Sequence, residues 1–209
     1  MHVYDCRTEV AMRTGVSHAT DALRAGHLVV FPTDTVYGIG ANAFGPQAVG
    51  TLLAAKQRGA DKPASVLVAD LATAEALVRS LRPEARRLAE EFWPGALSLV
   101  LPAAPSLAWN LGNTCGTVMV RMPNNPIALA LLRSAGPLAQ SSANPTGRPP
   151  ATTLEQATIQ LGESVHTYLD GGSTGNTPST IVDLTAAAPA VLREGAVPHA
   201  AVNEVLHSD

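Results

Sequence analysis

At 209 residues, 46% hydrophobic and only 4% aromatic, the chain suits one domain with an Ala, Val and Leu core, an α/β balance rather than a β-sandwich. A net charge of −3 and a pI near 6.0 argue against non-specific coating of nucleic acid, although 14 cations can still gather in one groove. Cys6 and Cys115 are too few for a disulfide framework, the six histidines lack metal-ligand spacing, and no apolar run reaches the roughly 18 residues of a membrane span. With no charged leader before an apolar run at the N-terminus, the expected compartment is the reducing cytoplasm.

In chain order, residues 17–25 read as a short helix capped by Ser17, and residues 28–31 (LVVF) as an apolar strand stopped by Pro32. The stretch PTDTVYGIG (residues 32–40) then sets Thr33, Asp34, Thr35 and Tyr37 beside two glycines. This is either a ligand loop that backbone can approach closely or a hairpin or bulge held by Asx and Ser/Thr turns.

Residues 46–57 predict a helix, with Pro46 in the first turn and Val49, Leu52 and Leu53 on one face. Lys56 falls on that same apolar face, where an ammonium needs a partner or a polar cleft, and an anionic ligand would serve. The chain has only two lysines, Lys56 and Lys62, both within the segment KQRGADK (residues 56–62); all other cations are Arg. A flexible point charge, rather than a planar fork, is therefore kept at this place. Lys62, beside Pro63, suits a solvated position that steers anions.

Next come a strand over 65–69, helices over 71–80 and 84–92 with a break at Trp93-Pro94-Gly95, and a strand over 96–101. After a Pro- and Ala-rich connection, residues 117–122 read as a strand in which Thr117 and Arg121 share a face, about 13 Å apart. A buried helix opens at Pro126, and a short strand over 138–140 runs into SSAN (residues 141–144). A helix over 153–161 is capped by Thr152 or Thr153, and strands occupy 180–184 and 190–193. Residues 171–178 are the loose stretch and a candidate mobile lid. Strands alternating with helices, joined partly by hairpin-length links, predict a twisted open mixed sheet flanked by helices in one domain over residues 1–209.

There is no Walker A run, no third glycine after Gly38-Ile-Gly40 and no Gly-x-Ser-x-Gly elbow. Hydroxyls and cations instead collect at strand ends: Thr35, Lys56, Arg58, Thr117, Arg121, Ser142, Asn144, Ser179 and Arg193. Such groups bind phosphate and carboxylate oxygens, and strand ends are where open α/β sheets hold ligands. From the residues alone, the expectation is a site for a polyanion plus a small polar molecule.

PTDTVYGIG after an apolar strand, then Lys-Gln-Arg, TVMVRMP, SSANPTG and PSTIVD, in that order, resemble the YrdC-like threonylcarbamoyl-AMP synthase family from about residue 10 to 198. The resemblance implies a basic concave groove and the reaction of L-threonine, bicarbonate and ATP to threonylcarbamoyl-adenylate and pyrophosphate. A transient transferase partner would then modify the adenosine beside the tRNA anticodon, so contact with tRNA itself would be indirect or weak. It implies that Thr35, Arg121, Gln140 and Ser179 bind threonine. Lys56 and Arg58 would take the triphosphate as the catalytic pair, with Thr117, Ser142, Asn144 and Arg193 completing the ATP site.

Magnesium would be carried by the nucleotide rather than by a protein metal site. On this reading Lys56→Ala abolishes adenylate formation and leaves the fold intact. The sequence departs from the family pattern at Gly59 (usually Pro), Leu67 (often His) and Pro150 (commonly Ser), and its length matches the short form. Two rivals remain in view: an RNA-binding module using the same groove, against which the low lysine and aromatic content speaks, and the carbamoyl-transfer enzymes that carry a similar domain among zinc-finger and acylphosphatase modules.

Overall fold

The computed structural model describes residues 1–207. Ten strands form one open sheet: β1 (His2–Asp5), β2 (Val29–Phe31), β3 (Gly38–Asn42), β4 (Ser65–Leu67), β5 (Leu97–Pro102), β6 (Thr117–Arg121), β7 (Leu138–Ser142), β8 (Thr167–Asp170), β9 (Thr180–Asp183) and β10 (Ala190–Arg193). Their order across the sheet is β1-β8-β2-β3-β7-β4-β6-β5-β9-β10. The pairing is mixed, as expected. The β2–β3, β3–β7, β4–β7 and β5–β6 ladders are antiparallel, and the β4–β6, β5–β9, β1–β8 and β2–β8 ladders are parallel.

Helices cover both faces: α1 (Glu9–Arg24), α2 (Pro46–Ala55), α3 (Leu71–Leu77), α4 (Pro83–Phe92), α5 (Pro126–Ala135), α6 (Leu154–Leu161) and α7 (His199–His207). Two apolar clusters result. The larger joins Tyr37, Ile39, Leu52, Leu88, Leu99 and Val120. The smaller packs α1 and α5 onto Val29, Phe31, Leu67 and Leu169. Among the described residues no helix is long and apolar enough to cross a membrane.

Local chemistry starts the helices where expected. Asn125 Oδ1 accepts from the amides of Ile127 and Ala128, Asp70 accepts from Thr73 N, and Thr153 accepts from Gln156 N, which decides between the two candidate caps of α6. The helix expected over 17–25 is longer. It begins at Glu9, Thr8 is its cap, and Ser17 lies mid-helix. Gly15 obscures that first half in the sequence. It is there because a Cβ would meet Cys6 Sγ at 2.8 Å and Tyr4 Cβ at 3.0 Å, where α1 crosses β1.

Of the two readings of residues 32–40, the hairpin holds for the second half, which is strand β3 running antiparallel to β2. Its glycines weaken strand propensity, but pairing on both sides with β2 and β7 overrides it, and Phe31 lies across Gly40, within 2.8 Å of where a Cβ would be. Strands β1 and β8 and helix α7 had no sequence-level expectation. The helix expected over 71–80 stops at Leu77, because Val78 turns extended and bridges Ala103.

Helix α2 ends sooner than its apolar spacing predicts, and the ending matters for the site. Lys56 is its last, half-helical residue, Gln57 adopts a left-handed φ of 49°, and Arg58 N donates to Leu53 O while Gln57 N donates to Ala54 O. This is a Schellman ending with glutamine where glycine is usual. It folds Arg58 back against the sheet and leaves Lys56 pointing inward.

Candidate active site

A cavity of about 310 Å³ opens over the middle of the sheet, where the ends of β4, β5, β6, β7 and β9 meet the loop after β2. Seven of the residues singled out in the sequence line it: Thr35, Arg58, Arg121, Gln140, Ser142, Ser179 and Arg193. A second cavity of about 240 Å³ adjoins it and shares Arg58, Met119 and Ile181. Thr117 lines this second, more apolar cavity together with Val100 and Leu192, and its hydroxyl donates to Thr114 O at 2.7 Å. Thr117 and Arg121 share a strand face as read from the sequence, but each serves a different compartment.

Lys56 and Asn144 line neither cavity. Lys56 is 2% exposed, and its Nζ donates to Ser142 O and Asn144 O, each at 2.5 Å. Asn144 donates from Nδ2 to Pro145 O and Arg148 O, which closes the turn after β7 and leaves its Oδ1 buried without a partner. Burial, and after it the nearby Arg58 charge, pushes the Lys56 ammonium down to about 8. The partner demanded by a lysine on an apolar face is thus first of all main chain.

Arg58 reaches the cavity wall through Nη1, which donates to Ser141 Oγ at 2.9 Å. Its other nitrogens donate to Pro63 O and Lys62 O. Arg193 donates from Nε and Nη2 to Ser179 O at 3.1 and 2.7 Å, and Ser179 Oγ pairs with Ser98 Oγ at 2.9 Å. Burial lowers the basicity of both guanidiniums without discharging them.

Arg121 is 6% exposed and fully engaged on one side. Nε donates to Gly95 O at 2.9 Å, Nη1 to Thr35 Oγ1 at 3.0 Å and Nη2 to Asp34 Oδ1 at 2.5 Å. A guanidinium has five N–H groups, so one on each terminal nitrogen is left over. Burial lowers its basicity and Asp34 opposes that shift.

Ser65, Ser98 and Ser141 also line the first cavity and were not singled out from the sequence. A hydroxyl inside an apolar strand, as Ser98 is in LSLVLP, was the signal that could have found one of them. Leu67 and Pro150, two of the departures from the family pattern, line the cavity as well and present carbon where a polar group would otherwise stand.

Residues 21–195 match the Sua5/YciO/YrdC family profile, described as "Telomere recombination". The chain belongs to this family. A Mycobacterium tuberculosis protein provisionally named a threonylcarbamoyl-AMP synthase is 54% identical over 99% of this chain and 95% of its own length. The threonylcarbamoyl-AMP synthase of Bacillus subtilis is 38% identical, over 91% of this chain and 56% of its own. The crystal structure of Pyrococcus abyssi Sua5 complexed with L-threonine superposes with a TM-score of 0.94 at 36% identity, covering 99% of this chain and 61% of that one. The expected family and the mixed α/β architecture both hold.

Proposed function

We propose that this family member is an L-threonylcarbamoyladenylate synthase acting on L-threonine, bicarbonate and ATP in the cytoplasm, as one domain. The observation that carries the reading is the convergence of three guanidiniums, Arg58, Arg121 and Arg193, on one cavity beside a second, more apolar one. Two adjoining compartments with a shared cationic wall suit an amino acid reacting with a nucleotide. The bound L-threonine of the Pyrococcus abyssi relative supports the amino-acid half.

On this reading the threonine carboxylate takes the two unspent N–H groups of Arg121, and Thr35, Gln140 and Ser179 surround its amino and hydroxyl groups. The amine captures carbon dioxide, or bicarbonate with loss of water, as a carbamate, whose oxygen attacks the α-phosphorus in line with departing pyrophosphate. Arg58 and Arg193 stabilise the charge that develops on the phosphates, and no protein nucleophile is required. Ser142 and Thr117 border the nucleotide. Lys56 contributes its charge and one remaining N–H from beneath the turn that it and Asn144 hold together.

Magnesium fits as the nucleotide's companion, held through phosphate oxygens and water. The carboxylate beside the cavity, Asp34, is already bonded to Arg121 and to Asn124 N, and the lining hydroxyls and guanidiniums suit phosphate better than a cation. Transfer to tRNA is assigned to a separate, transient transferase. The RNA-binding alternative gains no support, since no aromatic ring lines either cavity to stack a base.

Threonine- and bicarbonate-dependent release of pyrophosphate from ATP tests the proposal. Equal release with serine, or with no amino acid, would overturn the threonine assignment.

A further inference from the structure

Arg121 and Thr35 face the cavity; Thr33 and Asp34 do not line it. Even so, these two settle what the first pair can offer a ligand. Asp34 Oδ1 accepts both from Arg121 Nη2 and, at 3.0 Å, from the main-chain amide of Asn124, just past the end of β6. It thereby ties the loop after β2 to the strand that carries Arg121. It also fixes the guanidinium through Nη2, with one N–H on each terminal nitrogen left unspent.

Thr33 acts on Thr35 through the turn that carries it. Thr33 Oγ1 donates to Val36 O, 2.6 Å away, and accepts from the amides of Thr35 at 3.2 Å and Val36 at 3.3 Å, so one side chain closes the turn that carries Thr35. Thr35 Oγ1, held by that turn 3.0 Å from Thr33 Oγ1, accepts from Arg121 Nη1 at 3.0 Å, which fixes where the hydroxyl sits on the cavity wall. The cavity wall therefore presents the Arg121 donors beside a Thr35 hydroxyl held in one place. That pair suits an α-amino acid with its carboxylate on the Arg121 guanidinium and its amine beside the Thr35 oxygen.

We infer that Asp34 and Thr33 are positioning residues that orient the amino-acid substrate without touching it. This deepens, and rests on, the threonine site proposed above. The experiment is steady-state pyrophosphate release with threonine and ATP titrated separately, on the wild type, Asp34→Ala, Asp34→Asn, Thr33→Val and Thr33→Ser, with each variant's melting curve recorded. Asn keeps the Oδ1 acceptor and Ser keeps the hydroxyl that closes the turn.

The expected result is a threonine KM raised about tenfold or more in Asp34→Ala and Thr33→Val, with the KM for ATP within about twofold, and recovery to within about threefold in Asp34→Asn and Thr33→Ser. Should Asp34→Ala fail to fold, the two Thr33 variants carry the same comparison. An unchanged threonine KM in Thr33→Val or a folded Asp34→Ala would overturn the inference and leave the functional reading standing. So would equal rises for threonine and ATP, which would mark a merely structural role. A wild type with no threonine-dependent turnover would overturn the functional reading, and the inference with it.

Discussion

Lys56 Nζ lies 2.5 Å from the main-chain oxygen of Asn144, joining the end of α2 to the turn after β7 across 88 positions of chain. The lysine therefore braces the site as well as charging it. The sequence-based expectation that Lys56→Ala leaves the fold intact needs amending. Asn144 O would lose its lysine donor and Ser142 O would keep only the Asn144 amide, at a cost of about 1–3 kcal/mol. We expect lowered stability in urea together with at least a ~100-fold loss of pyrophosphate release. A folded variant with near-normal turnover would remove Lys56 from the machinery.

The same lysine makes stability depend on pH in the alkaline range. Its folded value of about 8 lies below the ordinary 10.5, because burial opposes the charge. Between those values the unfolded chain holds the proton and the folded chain does not. The contribution of this group to stability therefore rises as pH increases from about 8 to 10.5 and is flat below that window. Denaturant titrations across this range should show the rise in the wild type, and Lys56→Met should lack it.

Arg121→Lys keeps a positive charge but offers one point donor where a fork stood. The expected effect is a threonine KM raised about 10- to 100-fold with little change for ATP, read from the same assay. Arg121→Ala should do worse to the fold, by about 3–5 kcal/mol, since it leaves the Asp34 carboxylate partly buried beside no cation. Equal stability of the two variants in urea would contradict the ion pair.

Gly195 lies against the chain that walls the cavity. A Cβ there would sit 2.2 Å from Pro178 O and 2.5 Å from the Ser179 carbonyl carbon, both main chain, so something must shift. Gly195→Ala should lower the melting temperature. It should also raise the KM for threonine, because Pro178 and Ser179 line the cavity. Normal values for both would show that the loop has slack.

Gln57 is the opposite case, a strained residue that can be relieved. It is exposed and holds a left-handed φ of 49° at the Schellman position after α2. Gln57→Gly removes a conformational cost of about 1–2 kcal/mol and adds back roughly 0.5–1 kcal/mol of chain entropy. A net gain of up to about 1.5 kcal/mol in urea with unchanged turnover is expected. A loss of stability would mean that the glutamine side chain is itself bonded in place.

Much of the architecture was legible because it rests on short-range signals. The buried run before Pro32, the spacing of Val49, Leu52 and Lys56, and the alternation over 117–121 each bind a face to an element. The structure keeps all three. What escaped was governed by distant partners. Strand β8 has no strong local pattern and exists because β1 and β2 pair with it in parallel from either side. Strand β3 carries two glycines that argue against a strand until β2 and β7 bracket it. Helix α1 was half hidden by Gly15, whose reason is the close crossing of β1.

The sequence by itself determined the family, the α/β class, and the residue types that gather at the strand ends, since these follow from motif order and from periodicity along the chain. Only the tertiary structure decided which of those residues meet. It set Thr117 in the second cavity and put Lys56 and Asn144 beneath the wall as a brace. It also tied Arg121 to Thr35 and Asp34, and Thr33 to the turn between them, so that the Arg121–Thr35 pair is held in place on the cavity wall. Hydrogen-bond partners 86 or 88 positions apart leave no local trace in a sequence. They are fixed by sheet order, and sheet order is set by burial of whole faces rather than by any one residue.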